Sequence, residues 1–291
     1  FADLATEHMA SPTLHPSSGF SEVWLPKLDA QLKMSENAVE SDWLGAVRVA
    51  VITGAALAKE RIIMLEQLAQ HCHELSNMDY DFLYDKTKNL LSIGYNVDEH
   101  RRDPGFYDLL GSEVRFGVFV AISQGKIPQE SWFALGRQLT NPGTDPVLLS
   151  WSGSMFEYLM PLLVMPNFEN TLLDQTIKGT VQRQIEYGRK HSPFWGNSES
   201  GYNMTDAQLN YQYRAFGVPG LGLKRGLGDD FVIAPYATVM ALMVSPGEAV
   251  RNLEKMQEEG FEGKYGFFEA IDYTPARVPR GQTYSIVKSY M

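Results

Sequence analysis

The chain has 291 residues, of which 44% are apolar and 12% aromatic, so it can bury a sizeable core. Its net charge of −10 disfavours nucleic acid and anionic lipid as partners and suits a neutral or cationic substrate. The longest apolar stretch, residues 151–164, is interrupted by Glu157 and Pro161 and is shorter than the about 20 residues of a membrane span, so we expect a soluble chain.

Helical periodicity is the main pattern along the chain. A helix is predicted over 21–34, and a long helical pattern follows from Trp43 to Leu75. A short hairpin is predicted within 82–95, where two apolar segments flank the turn residues 85–89. Further helices are predicted over residues 105–124, 128–138, 154–165, 170–191 and 246–259. No βαβ alternation is present, so a Rossmann or TIM-barrel architecture is not expected.

Local signals mark several helix ends. Asp103-Pro104 predicts a cap followed by proline at the first helical position, and Gly125 predicts the end of that helix. Ser245-Pro246-Gly247-Glu248 predicts a capping box, in which Glu248 reaches back to the cap. Together these patterns predict an all-α fold of antiparallel helical hairpins with one small β-hairpin.

Three loops between the helices, residues 193–203, 216–230 and 263–280, are rich in glycine and aromatic residues. Long loops in a compact helical domain are often functional. The first loop contains Glu199 between two glycines and among aromatic rings. Such rings offer an apolar face to a sugar, and desolvation beside them raises the pKa of a carboxyl, as a general acid requires. A cap or a surface salt bridge is the alternative role for Glu199.

The third loop contains two acids, Glu269 and Asp272, in an otherwise apolar and aromatic run. A buried carboxylate is costly unless it has a partner or a function. In an extended segment, one acid would point into a cleft and the other would brace the loop. A purely structural carboxylate that accepts hydrogen bonds from backbone amides is the alternative.

Other candidate groups have competing interpretations. Asp108, Ser112 and Arg115 are predicted on one helical face, where salt bridging competes with substrate contact. Glu157 lies in an apolar helix and either lines the interior of a barrel or is neutralised by Arg115 or Arg137. The glycine-rich run 217–228 lacks the ending of a phosphate-binding P-loop.

Metal binding and disulfide bonding are not expected. The single cysteine, Cys72, excludes an internal disulfide, and its neighbours His71 and His73 would point to different sides of a helix. We therefore expect no metal, nucleotide or other cofactor.

Several segments together resemble one family. The segments are residues 91–96, 107–115, 153–161, 195–200, 217–227, 233–238 and 265–273. In order and spacing they resemble the central glycoamylase-like domain of cyclic β-1,2-glucan synthases, related to endo-β-1,2-glucanases. The resemblance covers 78–291, which we expect to be the catalytic domain, and is less distinct over the helical segment 1–77.

The resemblance implies an (α/α)6 barrel, incomplete here because fewer than twelve helices are predicted. It implies a β-1,2-glucan substrate, cyclised by retaining transglycosylation. Inverting hydrolysis, as in the related endoglucanases, and a glucan-binding barrel without catalysis are the alternatives. It also implies glycosyltransferase and phosphorylase-like domains in a longer chain, and a soluble cytoplasmic location within a bacterial synthase bound to the inner membrane.

By position, the resemblance assigns Glu199 and Glu269 as the carboxylate pair, with Glu199 as acid/base and Glu269 as nucleophile. Retention requires carboxyls about 5 to 5.5 Å apart and inversion about 6.5 to 9.5 Å. The residues expected to stack on or surround the sugar are Trp195, Tyr202, Tyr236, Phe268, Asp108, Arg115, Glu157 and Asp272.

Overall fold

The computed structural model describes residues 13–111, 114–143 and 145–289. The chain divides after Met78 into two compact units, and each is described by itself.

From residue 13 onward, the first unit consists of two packed helices, α1 (Leu14–Met34) and α2 (Ala38–Ser76). Leu28 of α1 and Leu44 of α2 are buried, and Arg48 pairs with Asp29 at 2.7 Å. The side chain of Asn37 caps α2 by accepting a hydrogen bond from the Val39 N–H. Helix α1 begins earlier than the predicted residue 21.

Within the described part of the chain, α2 is the one helix long and apolar enough, by length and composition alone, to cross a membrane. Polar residues are spaced along α2, so it contains no long uninterrupted apolar stretch. Many of its apolar side chains are exposed, among them Trp43, Leu57, Leu68 and Leu75.

In the part of the second unit that the structure describes, there are six further α-helices. These are α3 (Val114–Ser123), α4 (Glu130–Ala134), α5 (Met155–Leu159), α6 (Leu172–His191), α7 (Pro235–Met240) and α8 (Pro246–Glu258). Short 3-10 helices, Met160–Leu163 and Ala241–Met243, follow α5 and α7. The core lies between them and includes Tyr158, Val181, Ile233 and Met256.

The unit also contains short strands in six small sheets among the described residues. The strands are β1 (Tyr84–Asp85), β2 (Leu90–Leu91), β3 (Tyr95–Asn96), β4 (Arg101–Arg102), β5 (Leu139–Thr140), β6 (Val147–Leu148), β7 (Glu199–Thr205), β8 (Tyr211–Ala215), β9 (Val232–Ile233), β10 (Glu262–Gly263), β11 (Gly266–Phe267), β12 (Ala270–Asp272) and β13 (Ser285–Val287). The largest sheet is antiparallel with the order β13-β12-β9. The predicted hairpin is present as β1–β2. The all-α expectation is therefore right for the helices but underestimates the strands.

One predicted helix is wrong over its first half. Residues 105–111 are not helical, and the helix spans only Val114–Ser123. Asp103 does not act as a cap, because no helix begins directly after it. Its N–H instead donates to the Gly94 carbonyl at 2.9 Å, and its carbonyl accepts from Ser92 Oγ at 2.6 Å. Gly125, at φ +68°, ends the helix as predicted.

Other boundaries also differ from the predictions. Helix α4 is shorter because Leu139 pairs with Leu148 as a strand. Helix α5 becomes a 3-10 helix at Met160–Leu163, where Pro161 removes a backbone donor. The predicted capping box at Ser245 does not form, since Glu248 bonds instead to Arg189 and Arg251.

Candidate active site

The two candidate carboxylates meet at the β-ribbon formed by β7 and β8, which the sequence did not predict: Glu199 begins β7, and Glu269 packs against the ribbon at Gly201. Glu199 pairs with Ala215, and Gly201 with Tyr213. Since residues two apart in a strand share a face, Glu199 and the Cα–H of Gly201 face the same way. A Cβ added at Gly201 would lie 3.2 Å from Glu269 Cγ. Glu269 therefore covers the face of the ribbon that carries Glu199.

Glu269 is held in place by the ribbon backbone. Its Oε1 accepts a hydrogen bond from the Gly201 N–H at 2.8 Å. The residue directly precedes β12, whose central strand position anchors it, and it is only 8% exposed. One carboxylate oxygen thus has a fixed orientation toward the ribbon.

Tyr236, predicted as a stacking residue, instead supports the backbone of Glu199. Its hydroxyl donates to the Glu199 carbonyl at 2.9 Å. Because that bond uses its one proton, Tyr236 must accept from Ser198 Oγ, 2.7 Å away. Burial raises the pKa of Tyr236, and the negative charges of Glu199 and Glu269 contribute. The phenol is therefore neutral, and Ser198 is a supporting residue that the sequence analysis missed.

Asp272 is the acid that braces the loop. It is 0% exposed, and it accepts hydrogen bonds from Arg277 Nε at 2.7 Å and the Asn203 N–H at 3.1 Å. Arg277 also pairs with Asp230. This network joins β12 to the end of β7, and it leaves Asp272 buried beneath the site.

Glu157 is part of a buried serine cluster and does not line an open cavity, contrary to one expectation. Its carboxylate accepts hydrogen bonds from Ser150 Oγ at 2.9 Å, from the Ser152 N–H at 3.1 Å and from Ser154 at the start of α5. Arg137, a predicted neutralising partner, donates instead to the carbonyls of α4 and the residue after it. Glu157 therefore fixes the loop 150–154.

Asp108 and Arg115 do not share a helical face, because Asp108 lies before the helix. The carboxylate of Asp108 accepts from the Leu110 N–H at 2.8 Å. Burial raises its pKa, and the charge of Glu157 adds to the effect. Arg115 is buried, and desolvation lowers its pKa to about 10. Ser112 lies outside the described residues.

The aromatic residues are placed differently from the predictions. Trp195 is 3% exposed and packs in the core against Gly188, so the expectation that it stacks on a sugar is wrong. The ring of Tyr202 contacts Phe216 edge-on and lies under the Arg277 guanidinium at 4.9 Å. Phe268 is half-buried, and its N–H donates to the Phe261 carbonyl.

An exposed aromatic residue that the sequence analysis missed is connected to the ribbon through Lys224. Trp151 is 64% exposed on the loop that Glu157 fixes. Its carbonyl accepts from the Lys224 N–H at 2.8 Å, and Lys224 Nζ donates to the Ala215 carbonyl at 2.8 Å. Since Ala215 pairs with Glu199, Lys224 connects Trp151 to the ribbon. The Trp-Ser-Gly turn at 151–153 was the available signal, but the sequence analysis considers Trp151 only as the start of the longest apolar stretch.

In the described residues, no three His, Cys, Asp or Glu side chains are grouped so as to hold a metal ion.

The second unit thus combines short helices with a β-ribbon that carries Glu199, and Glu269 is hydrogen-bonded to that ribbon. Residues 109–291 match the glycoamylase family model, described as "Putative glucoamylase", and the chain belongs to that family. The chain is 42% identical over 273 residues to the cyclic beta-(1,2)-glucan synthase NdvB of Rhizobium meliloti (strain 1021). This match covers 90% of the chain, so it extends into residues 1–77, but it spans only 10% of that protein.

The fold is also similar to that of a solved structure, the endo-beta-1,2-glucanase from Chitinophaga pinensis in complex with sophorotriose and glucose. The TM-score is 0.53 with 17% sequence identity, over 76% of this chain and 56% of that one. At this identity the similarity concerns the fold alone. The family resemblance is confirmed, and the helical fold type is shared.

Proposed function

We propose that this chain is a glucan-remodelling domain that cyclises linear β-1,2-glucan by retaining transglycosylation. The observation that carries the proposal is that Glu199 and Glu269 meet at the β7–β8 ribbon. The name of the NdvB relative supplies the substrate and the preference for cyclisation. The helices would form an (α/α)6 barrel, whose missing wall lies in further chain.

Glu269 would be the nucleophile. Its carboxylate attacks the anomeric carbon of a glucosyl unit, while Glu199 protonates the departing glycosidic oxygen. The bond from C1 to that oxygen breaks and an ester from C1 to Glu269 forms. Gly201, which holds one oxygen of Glu269, orients the other for attack.

Transfer would complete the reaction. The 2-hydroxyl at the non-reducing end of the same glucan attacks C1, Glu199 takes its proton, and the ester to Glu269 is released. The configuration at C1 is inverted in each of the two steps, so the product retains the β-linkage. If water attacked instead, a linear chain would result.

The substrate surface would be formed by exposed groups around the pair. Trp151 is the favoured stacking platform because it is exposed and held on a fixed loop, and Phe268 lies next to Glu269. Tyr202, Asp108, Arg115, Glu157 and Asp272 would support the site from beneath.

Inverting hydrolysis is the second candidate function, favoured by the fold similarity to an endo-beta-1,2-glucanase. In the preferred case we propose that the chain is a soluble, cytoplasmic domain of a longer inner-membrane bacterial synthase with glycosyltransferase and phosphorylase-like domains. Because the chain matches only 10% of the length of NdvB, a protein of that size has room for these additional domains.

Incubation of the chain with purified linear β-1,2-glucan tests the proposal. Cyclic products identified by mass spectrometry are expected. Short linear products with inverted configuration would establish the second candidate instead. Unchanged glucan that still co-elutes with the protein would indicate a binding barrel and contradict both.

A further inference from the structure

The strand β8 carries two exposed tyrosines in series, Tyr211 and Tyr213. The two residues are 37% and 58% exposed, respectively. Because alternate residues of a strand point to the same face, both rings lie on one face of the β7–β8 ribbon, about 6.6 to 6.8 Å apart along the strand. That separation exceeds the width of one pyranose ring, so each tyrosine can contact a different unit of a glucan.

The same face of the ribbon also carries Glu199. Tyr213 lies opposite Gly201, and Ala215 lies opposite Glu199. Directly opposed residues in an antiparallel pair have side chains on the same face. The order along this face is therefore Glu199, then Tyr213, then Tyr211. A row of exposed rings thus leads along the ribbon, away from the place where the carboxylates meet.

Contacts on the opposite face hold the ribbon in place. Arg214 pairs with Asp230 at 2.8 Å, and Arg277 pairs with the same carboxylate. The ring of Tyr202 packs edge-on against Phe216. The ribbon is therefore anchored through one face while the tyrosines on the other stay exposed. A tyrosine ring on a fixed strand loses little conformational entropy when a ligand packs against it.

The charge state of Tyr213 suits an uncharged ligand. Burial of its hydroxyl raises the pKa of Tyr213, and the negative charges of Glu199 and Glu269 raise it further. The phenol is therefore neutral at neutral pH. An aromatic ring with a neutral hydroxyl matches a sugar, which has both an apolar C–H face and polar hydroxyls.

We propose that Tyr213 and Tyr211 form a stacking track on which consecutive units of a linear glucan lie as the chain extends from the carboxylate pair. Tyr213 holds a unit near the pair and Tyr211 holds a unit farther out, so Tyr211 selects for longer chains. The occupant is a glucan because the track is continuous with the candidate carboxylates, and the inference rests on the proposed function for the identity of that ligand. Neither the sequence pattern nor the family resemblance assigned a role to either tyrosine.

Calorimetry tests the track in the full chain carrying Glu269→Gln, a background chosen to prevent turnover. The ligands are sophorotriose and a longer linear oligosaccharide with the same β-1,2 linkage. Tyr213→Leu should weaken the binding of both about three- to tenfold, because a ring contact is lost. Tyr211→Leu should weaken the longer ligand by a similar factor and leave sophorotriose within about twofold of the parent. Unchanged affinities in both Leu variants, or no binding by the parent, overturn the proposal.

Two controls separate stacking from other effects. Tyr213→Phe and Tyr211→Phe keep the ring and should bind both ligands within about twofold of the parent. Gln212→Ala, on the same strand but the opposite face, should also bind as the parent does. If the Phe variants lose as much affinity as the Leu variants, the hydroxyl rather than the ring binds the sugar, and the stacking track is overturned. An equal loss in Gln212→Ala means that the whole ribbon responds, which overturns it as well.

The activity assay of the proposed function gives an independent answer. If the wild-type chain leaves glucan unchanged while the titrations show ring-dependent binding, the proposed function fails and the track stands. If the wild-type chain remodels glucan while both Leu variants bind as the parent does, the track fails and the proposed function stands.

Discussion

Gly201 and Glu269 are in direct contact although they are far apart in the chain. The Gly201 N–H donates to Glu269 Oε1 at 2.8 Å, and the absent side chain of Gly201 makes room for Glu269 Cγ. A glycine inside a strand often marks such a close approach. This contact aligns the loop before β12 with the ribbon that carries Glu199.

Gly201→Ala should displace Glu269. The new Cβ would lie 3.2 Å from Glu269 Cγ and 3.5 Å from Val287 Cγ1, so a neighbour must move by a few tenths of an ångström. We expect the rate of glucan remodelling to fall about tenfold or more, since small misplacements of a reacting group are costly. Gly117→Ala in α3, where nothing lies within 4 Å, is the control and should retain full activity. Equal rates for both variants would contradict the role of Gly201.

Glu199→Gln and Glu269→Gln should each lower activity by about 10²- to 10⁴-fold or more while the chain stays folded. Glu262→Gln, an exposed acid on β10, serves as control and should be unaffected. Azide added to Glu269→Ala should restore turnover and give a glycosyl azide with the α configuration, because azide takes the place of the nucleophile and inverts C1 once. If Glu199→Ala instead gave the glycosyl azide expected of a nucleophile variant, the roles of Glu199 and Glu269 would be exchanged.

Trp151→Ala should weaken glucan binding about three- to tenfold with little change in folding stability, because the ring is exposed. Titration of a linear glucan oligosaccharide by calorimetry measures the loss. The buried Trp195 gives the opposite pattern: Trp195→Ala should lower the free energy of unfolding by about 3 to 5 kcal/mol. Wild-type affinity in Trp151→Ala would remove Trp151 from the substrate surface.

Glu157→Gln should destabilise the chain by about 2 to 3 kcal/mol, because an amide –NH₂ would face the donors of Ser150 and Ser152. Urea denaturation measures this change. Glu262→Gln is again the comparison and should be neutral within about 0.5 kcal/mol. A neutral Glu157→Gln would show that the serine cluster accommodates an amide.

Asp174→Asn tests the pH dependence of stability. Hydrogen bonds from Lys178 and Asn167 lower the pKa of Asp174 below 3.8. A depressed pKa contributes stability that is present above the unfolded-state value and is lost as the pH falls through the folded-state value. The variant should therefore have a lower urea midpoint than wild type at neutral pH, and the difference should vanish at acidic pH. A difference that persists below the folded-state pKa would assign the effect to packing.

Local sequence patterns predicted the elements whose stability is local. Helix α6 and the hairpin β1–β2 were predicted from periodicity and turn residues, because their hydrogen bonds join near neighbours. Gly125 and Gly260 end their helices, since both adopt positive φ. The family resemblance, which depends on many short segments in order, was likewise contained in the sequence.

Tertiary structure decided which side chains are buried and which face each other. Trp195 and Trp151 look alike in a sequence, yet Trp195 lies in the core and Trp151 at the surface. The difference arises from tertiary packing, because α6 and α8 cover Trp195. The pairing of Gly201 with Tyr213 required a strand register that no local signal specified. Contacts between segments about 70 residues apart, such as Gly201 with Glu269, depend on the whole core being formed. The sequence by itself therefore determined the family and the helical elements, whereas the arrangement of the site is a property of the folded chain.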